Sequence, residues 1–259
     1  MRIVFNKNIS ADHLLLLRNE YLSQLVEPQE LYLEMMIWNA ESIGIEIENQ
    51  IAGYVQVKEN VLLEYFIRNQ FLPVNDIIFS QLLNEFEIKS IYCKSFDQLL
   101  LTSTLPYIKK RIEIGYHFRD FDDSKPFIED ESISTRFGIL DDIPVLETFM
   151  KDIFNDIEEL QMVIKNNNLI IFEKDDAIIG FGIFQKTVPN FNWFDIGMAV
   201  KPEFRKKGVG TYIISYLKNY CIQRGWKPTC GCDIKNIASK RTLEKAGIYS
   251  KHKLYEFEI

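Results

Sequence analysis

"FDIGMAVKPEFRKKGVGTYI", Phe194 to Ile213, decides how its half of the chain folds. An alternating apolar run ends at Pro202, and a basic triplet Arg205-Lys206-Lys207 follows. Gly208 and Gly210 then stand one residue apart, and apolar residues resume at helical spacing. Strand, glycine-containing loop, then helix is an arrangement that binds phosphate. Glycines reach φ > 0 and let the backbone approach an anion, while the first-turn N–H groups of a helix have no intrahelical partner. The helix dipole adds partial positive charge at that end, and the triplet adds full charges at the rim. A solvated turn whose basic residues face water has the same spacing, so the surroundings must decide.

Working outward, "ISTRFGILD" reads as a strand and "DDIPVLETFMKDIF" as a helix with Asp141 or Asp142 near its cap. "DIEELQMVIKN" is a second helix. "NLIIFEKDDAIIGFGIFQKTV" is a hairpin turning at Lys174-Asp175-Asp176. "FNWFDIGMAV" is a longer strand, and "GTYIISYLKNYCIQRG" a helix closed by Gly225. "KPTCGCDI" is a strand, "NIASKRTLEKAG" a helix with Asn236 as cap and Gly247 as stop, and "HKLYEFEI" a final alternating strand.

The first half repeats this order more faintly. "GIEIENQIAGYVQV" answers the hairpin, with Gly53 in the place of Gly180, and "VLLEYFI" answers "WFDIGMAV". "VNDIIFSQLLNEF" answers the helix after the glycines, and Asp97 sits 139 positions before Asn236. We read a duplication: two α/β units, 1–125 and 132–259, joined through the polar stretch "RDFDDSKPFIEDES". Counting back 137 from Arg205 reaches Arg68, which sets Phe71 and Pro73 opposite Gly208 and Gly210. A Phe side chain fills the space a phosphate needs and Pro has no N–H to give, so one phosphate site per chain is expected.

The totals set bounds. With 47% hydrophobic and 13% aromatic residues in 259, the chain can bury a core, and no apolar run reaches the roughly 18 to 20 residues that span a bilayer. "LLLL" near the start is followed by Arg18 and Glu20, too short for a signal-peptide core, so a soluble cytoplasmic protein is expected. Four cysteines at this length argue against a disulfide scaffold. Cys230 and Cys232 read as core thiols, because His13, His117 and His252 form no ligand pair with them and no metal site is expected. Up to Asp130 the chain holds 12 Lys+Arg against 20 Asp+Glu, and beyond it 18 against 17. That balance supports a local anion site in the second half and no broad nucleic-acid face.

The pattern Arg205-x-x-Gly208-x-Gly210 after "DIGMAV" resembles the acetyl-CoA signature Q/R-x-x-G-x-G/A of the GNAT N-acetyltransferase superfamily. "NIASKRTLEKAGI" is similar to the same family's N-x-x-(A/S)…E-K-x-G-(F/I) segment. The resemblance covers Ser132 to Ile259 and implies two tandem α/β (α+β) GNAT-like mixed-sheet domains, the first a degenerate copy helping to shape the acceptor cleft. It implies that amides from Lys206, Lys207, Gly208, Val209, Gly210 and Thr211 cradle the pyrophosphate of acetyl-CoA, the co-substrate. Arg205 would support the loop or the phosphate. Met198 and Val200 would pair with the pantetheine amides, in a gap where this strand splays from "PTCGCDI". Asn236 and Ser239 would contact the pantetheine arm or cap the last helix.

Asp195 is the carboxylate on the strand before the loop, where many members carry a general base; the other reading is a polar residue at the strand's solvent end or a partner for a nearby Lys. The Met198 or Ala199 N–H would receive the oxyanion. The family often has a Tyr in its last helix to protonate the thiolate; here that place holds Leu243, and the acid is unassigned. The acceptor is expected to be a primary amine of a small molecule or peptide, and the acidic first half suits a cationic one. The reading from another class is a non-catalytic acyl-CoA-binding sensor. Neither the acceptor's identity nor the oligomeric state is written in these motifs.

Overall fold

The computed structural model describes residues 1–122 and 124–259; Asp123, inside the stretch read as the linker, lies outside the described residues. The chain divides into two compact units. The first is Met1–His117 with Asp233–Lys235 and His252–Ile259, and the second is Phe118–Cys232 with Asn236–Lys251.

In chain order the elements run β1 (Ile3–Asn6), α1 (Ala11–Gln24), α2 (Leu31–Ile37), β2 (Glu41–Ile47), β3 (Gln50–Lys58), β4 (Val61–Ile67), α3 (Asn75–Glu85), β5 (Ser90–Lys94), α4 (Gln98–Thr104) and β6 (Lys110–Phe118). They continue with β7 (Asp120–Phe121), β8 (Ser134–Phe137), α5 (Ile143–Leu146), α6 (Ile157–Lys165), β9 (Leu169–Lys174), β10 (Ala177–Lys186) and β11 (Trp193–Val200). The last are α7 (Val209–Ile222), β12 (Lys227–Asp233), α8 (Ile237–Lys245), β13 (Ile248–Tyr249) and β14 (His252–Glu258). No helix among the described residues is long and apolar enough to cross a membrane.

In the first unit the strand order is β1-β2-β3-β4-β5-β14-β6. Only β4 and β5 run parallel there; β14 is antiparallel to both β5 and β6. The chain's final strand thus completes the first unit, burying Leu254 and Phe257. In the second unit the order is β12-β11-β10-β9-β8, with β11 and β12 parallel. A short pair, β7 with β13, stands apart from that sheet.

The local chemistry explains the turns. Asp175 and Asp176 both take positive φ, 51° and 57°, in the two-residue turn between β9 and β10. Glu48 and Asn49 do the same between β2 and β3, at 48° and 66°. Positive φ at both central residues matches the right-handed twist of a hairpin. Gly53 and Gly180 occupy equal places in the two units. A Cβ at either would strike a backbone oxygen of the next strand, Phe66 O at 1.9 Å or Ala199 O at 2.7 Å.

One expected helix is broken. "DDIPVLETFMKDIF" forms a 3-10 turn at Leu140–Asp142, the four-residue α5, and another 3-10 turn at Met150–Asp152. Phe149 leaves helical geometry at φ −145° and ψ 12°. The reason is the core: Phe149 and Phe154 both turn in against the Phe181 ring, at 5.5 and 5.9 Å. Leu146, Leu160, Val163, Phe181, Ile183 and Ala199 close that side of the second sheet. On its other face α7 lies against β10, where a Cβ at Gly182 would meet Leu217 at 2.7 Å.

Candidate active site

β11 pairs along its length with β10, from Lys186↔Phe194 to Gly180↔Val200. Its pairing with β12 is short: Trp193↔Lys227, Phe194↔Pro228, Asp195↔Thr229, and there the register ends. Beyond Asp195 the two parallel strands part, which opens one edge of β11 from Ile196 to Val200. Strand geometry decides which groups face that opening. The Lys201 N–H bonds to Ile179 O on the β10 side at 3.0 Å. Because peptide direction alternates along a strand, Ala199 also turns its N–H toward β10, while Met198 and Val200 point theirs into the gap. Of the two oxyanion donors the sequence allowed, Met198 is the one on the open edge.

Asp195 sits on the last rung before the strands part. It is half-buried, and its Oδ1 accepts from Thr229 Oγ1 at 3.3 Å. One residue further along β12, the Cys230 carbonyl accepts from the buried Arg119 Nη1 at 2.8 Å. Burial pushes the Cys230 thiol well above its ordinary range, and the charge of Asp195 pushes the same way, so this sulfur stays protonated. Neither Thr229 nor Arg119 was singled out from sequence. Each acts across a register or a fold-back that no local pattern announces.

The loop after β11 is tied back to its own strand and turns through two left-handed residues. Arg205 turns back so that its Nε donates to Val200 O at 3.0 Å, tying the loop to the strand end. Lys206 adopts φ 62° and Gly208 φ 87°, both left-handed, and Arg205 to Gly208 are exposed. Lys207 Nζ lies 5.5 Å from the Phe204 ring centroid. The first α7 bond is Tyr212 N–H to Gly208 O at 3.0 Å, so the amides of Val209, Gly210 and Thr211 precede the ladder.

The two glycines serve different ends. At Gly208 a Cβ would meet nothing within 4 Å, so the positive φ is the requirement. At Gly210 a Cβ would lie 3.1 Å from Met198 Cε and 3.2 Å from Thr242 Cγ2. Close approach of α7 to β11 and α8 is what keeps that position bare. Asn236 caps α8 with its side chain, accepting from the Ser239 N–H at 3.0 Å. Leu243 is buried, so no hydroxyl occupies its position.

The first unit offers an internal contrast, with one correction. Its parallel register is short too, two rungs against three, and ends at Leu62↔Ile91, so Leu62 stands where the second unit has Asp195. The Arg68 N–H bonds to Ala52 O and the Phe71 N–H to Arg68 O, as Lys201 does to Ile179 O and Phe204 to Lys201 O. Arg68 therefore corresponds to Lys201 and Phe71 to Phe204, four places from the sequence alignment. Asn75, not Phe71, takes the place of Gly208, and it is right-handed at φ −51°. Arg68 is the basic residue of this loop, and Glu20 holds it bidentately at 2.9 and 2.7 Å.

A buried polar network also fills this unit's interior beside β4. Glu64 accepts from Arg18 Nε and Nη2, Gln29 Nε2 and Tyr54 Oη at 2.8 to 3.2 Å. Arg18 also reaches Glu34 at 2.5 Å. Next to it, Lys94 donates to Tyr21, whose hydroxyl donates to Asp97 at 2.5 Å. Burial pushes the Glu34 and Asp97 carboxyls up, and the neighbouring cations oppose this.

The comparisons identify the family. Residues 10–121 match the family described as an acetyltransferase (GNAT) domain, and residues 135–248 the acetyltransferase (GNAT) family. The chain belongs to the GNAT acetyltransferase superfamily and carries two such domains in tandem. A GNAT-family acetyltransferase of Colwellia psychrerythraea superposes with a TM-score of 0.87 at 16% identity, covering 100% of both chains. A GCN5-related N-acetyltransferase of Sphaerobacter thermophilus gives 0.66 at 14%, covering 99% of this chain and 95% of that one. A tandem GNAT protein from the clavulanic acid biosynthesis pathway gives 0.57 at 11%, covering 99% and 98%. At these identities the likeness is one of fold. No curated protein matches the sequence.

Proposed function

We propose that this protein is an acetyl-CoA-dependent, cytoplasmic N-acetyltransferase that acetylates a primary amine, with the second unit catalytic and the first a degenerate copy. One observation carries the reading: Asp195 stands where β11 and β12 part, on the strand that leads directly into the basic, left-handed loop. The loop fits a pyrophosphate through the unbonded first-turn amides of α7, the positive φ of Gly208 and the surrounding Arg205, Lys206 and Lys207. The open edge of β11 fits an extended amide chain at Met198 and Val200. Acetyl-CoA supplies the activated acyl group.

The residues of the chain do the rest. Asp195 takes the proton from the acceptor ammonium, directly or through one water, and Thr229 Oγ1 orients the carboxylate at Oδ1. The Met198 N–H, facing the gap, stabilises the developing oxyanion. With Leu243 at the position of the usual acid, solvent or the substrate ammonium returns the proton to the thiolate. That vacancy is also what favours the second reading, a non-catalytic acyl-CoA sensor.

Thiol release from acetyl-CoA across a panel of primary amines separates the two. The enzyme reading expects release with at least one amine. It also expects Asp195→Asn to lower kcat by about 10²-fold or more, with acetyl-CoA affinity unchanged within twofold. Release from no amine, with acetyl-CoA still bound, would establish the sensor.

A further inference from the structure

The face of β11 that carries Asp195 has a second feature. Strand alternation places Trp193, Asp195 and Gly197 on one face, all half-buried, while Phe194 and Ile196 are buried on the α7 face. Gly197 and Ala199 lie under the α5–α6 side: a Cβ at Gly197 would meet Ile183 at 3.2 Å and Ile153 at 3.5 Å. Trp193 and Asp195, at the other end of this face, are half-buried. There the Trp193 indole stacks on Phe191, with centroids 4.2 Å apart and planes at 29°. Gln185 stands beside Asp195 on β10, and Lys227 beside Trp193 on β12.

We propose that the acceptor is an amine carrying a planar aromatic group, its ring held on the Phe191–Trp193 stack while its nitrogen faces Asp195. This rests on the acetyltransferase reading above and names its substrate class. Trp193 and Asp195 stand two residues apart on one face, about 6.6 Å along the strand, close enough for one small molecule to reach both. A stacked pair of rings with both members partly exposed presents an extended π-surface. Offset or edge-on packing of a third ring on it adds up to about tenfold in affinity beyond area burial. A diamine or polyamine has no ring to lay on that stack and is the poorer fit, despite the acidic balance of the first half.

The test compares kcat/KM for 2-phenylethylamine, butylamine and 1,4-diaminobutane at saturating acetyl-CoA, and binding of 2-phenylethylamine to the full chain by calorimetry. The proposal expects 2-phenylethylamine to exceed both others by about tenfold or more. Trp193→Ala should collapse that ratio about tenfold through KM, and Trp193→Phe should restore most of it. A merely structural role for Trp193 would lower all three amines together and leave the ratio unmoved, which overturns the proposal. Preference for the diamine overturns it too, while thiol release itself upholds the acetyltransferase. If 2-phenylethylamine binds wild type and not Trp193→Ala, yet no amine releases thiol, the site assignment stands and the catalytic reading falls.

Discussion

Gly208 and Gly210 should fail in different ways when substituted, and the structure sets both magnitudes. At Gly208 the backbone is left-handed, φ 87° and ψ −10°, and a Cβ would meet open space. The whole penalty for Gly208→Ala is then local: about 1–2 kcal/mol for an L-residue in that conformation, partly offset by about 0.4–1 kcal/mol from a less free unfolded chain. A net loss of about 1 kcal/mol follows, and Gly208→Asn should recover roughly half of it, because Asn enters the left-handed region more readily. At Gly210 the position is helical, so Ala gains about 1 kcal/mol of propensity over Gly. Against that stands overpacking of about 1–3 kcal/mol, from contacts of 3.1 Å to Met198 Cε and 3.2 Å to Thr242 Cγ2. In a Met198→Ala background the overpacking should shrink and Gly210→Ala become neutral or stabilising. Urea midpoints followed by tryptophan emission suit the test. Trp226 reports the second unit directly, stacked 3.9 Å from Phe194. Equal losses for Gly208→Ala and Gly208→Asn, or a Gly210→Ala effect untouched by Met198→Ala, would refute the division of roles.

Three further outcomes are expected. Asp142 takes two bonds from Arg136 at 2.7 Å and one from the Ile139 N–H at 2.8 Å, and the Arg136 bonds hold its carboxyl below the usual range against the opposing effect of burial. A depressed carboxyl stabilises above its unfolded pKa of about 3.9 and loses that as pH falls through the folded value. Asp142→Asn should therefore lose about 2 kcal/mol at pH 7, and its midpoint should approach that of wild type as pH falls from the unfolded value through the depressed folded one. Deleting His252–Ile259 removes the strand between β5 and β6; hydrogen exchange should show lost protection in β5 and β6 while β9 to β11 stay protected. Arg18→Met leaves Glu34 and Glu64 buried without their shared cation, and should cost about 3–5 kcal/mol in denaturation, with Glu34→Gln and Glu64→Gln in the same chain restoring much of it.

The sequence carried the second unit's order well because its signals are local. The Asp175-Asp176 turn, the Asn236 cap and the Gly208 loop each rest on residues within four of one another. What escaped it was set at a distance. Nothing in "HKLYEFEI" says that this strand completes the first unit, since its alternation fits any half-buried sheet. The broken helix before α6 was overruled by Phe149 and Phe154 seeking Phe181. The alignment of the two halves slipped by four residues because Arg68 resembles Arg205 in charge. Its backbone bond to Ala52 places it with Lys201 instead. The contrast between halves survives on other residues: a right-handed Asn75, an Arg68 held by Glu20, and Leu62 in place of Asp195. The candidate base and phosphate loop were legible as motifs. That Met198 rather than Ala199 faces the gap, and that Thr229 holds Asp195, needed the register.

The central claim is a single acetyl-CoA site per chain, built by the loop from Arg205 to Thr211. Isothermal titration of the full chain with acetyl-CoA tests it most directly, alongside an Arg205→Ala, Lys206→Ala, Lys207→Ala triple variant. The account predicts a stoichiometry of one for wild type and roughly a 5- to 150-fold loss of affinity in the variant, each removed cation contributing about 0.3–1 kcal/mol. A stoichiometry of two, or a variant that binds as tightly as wild type, would contradict it.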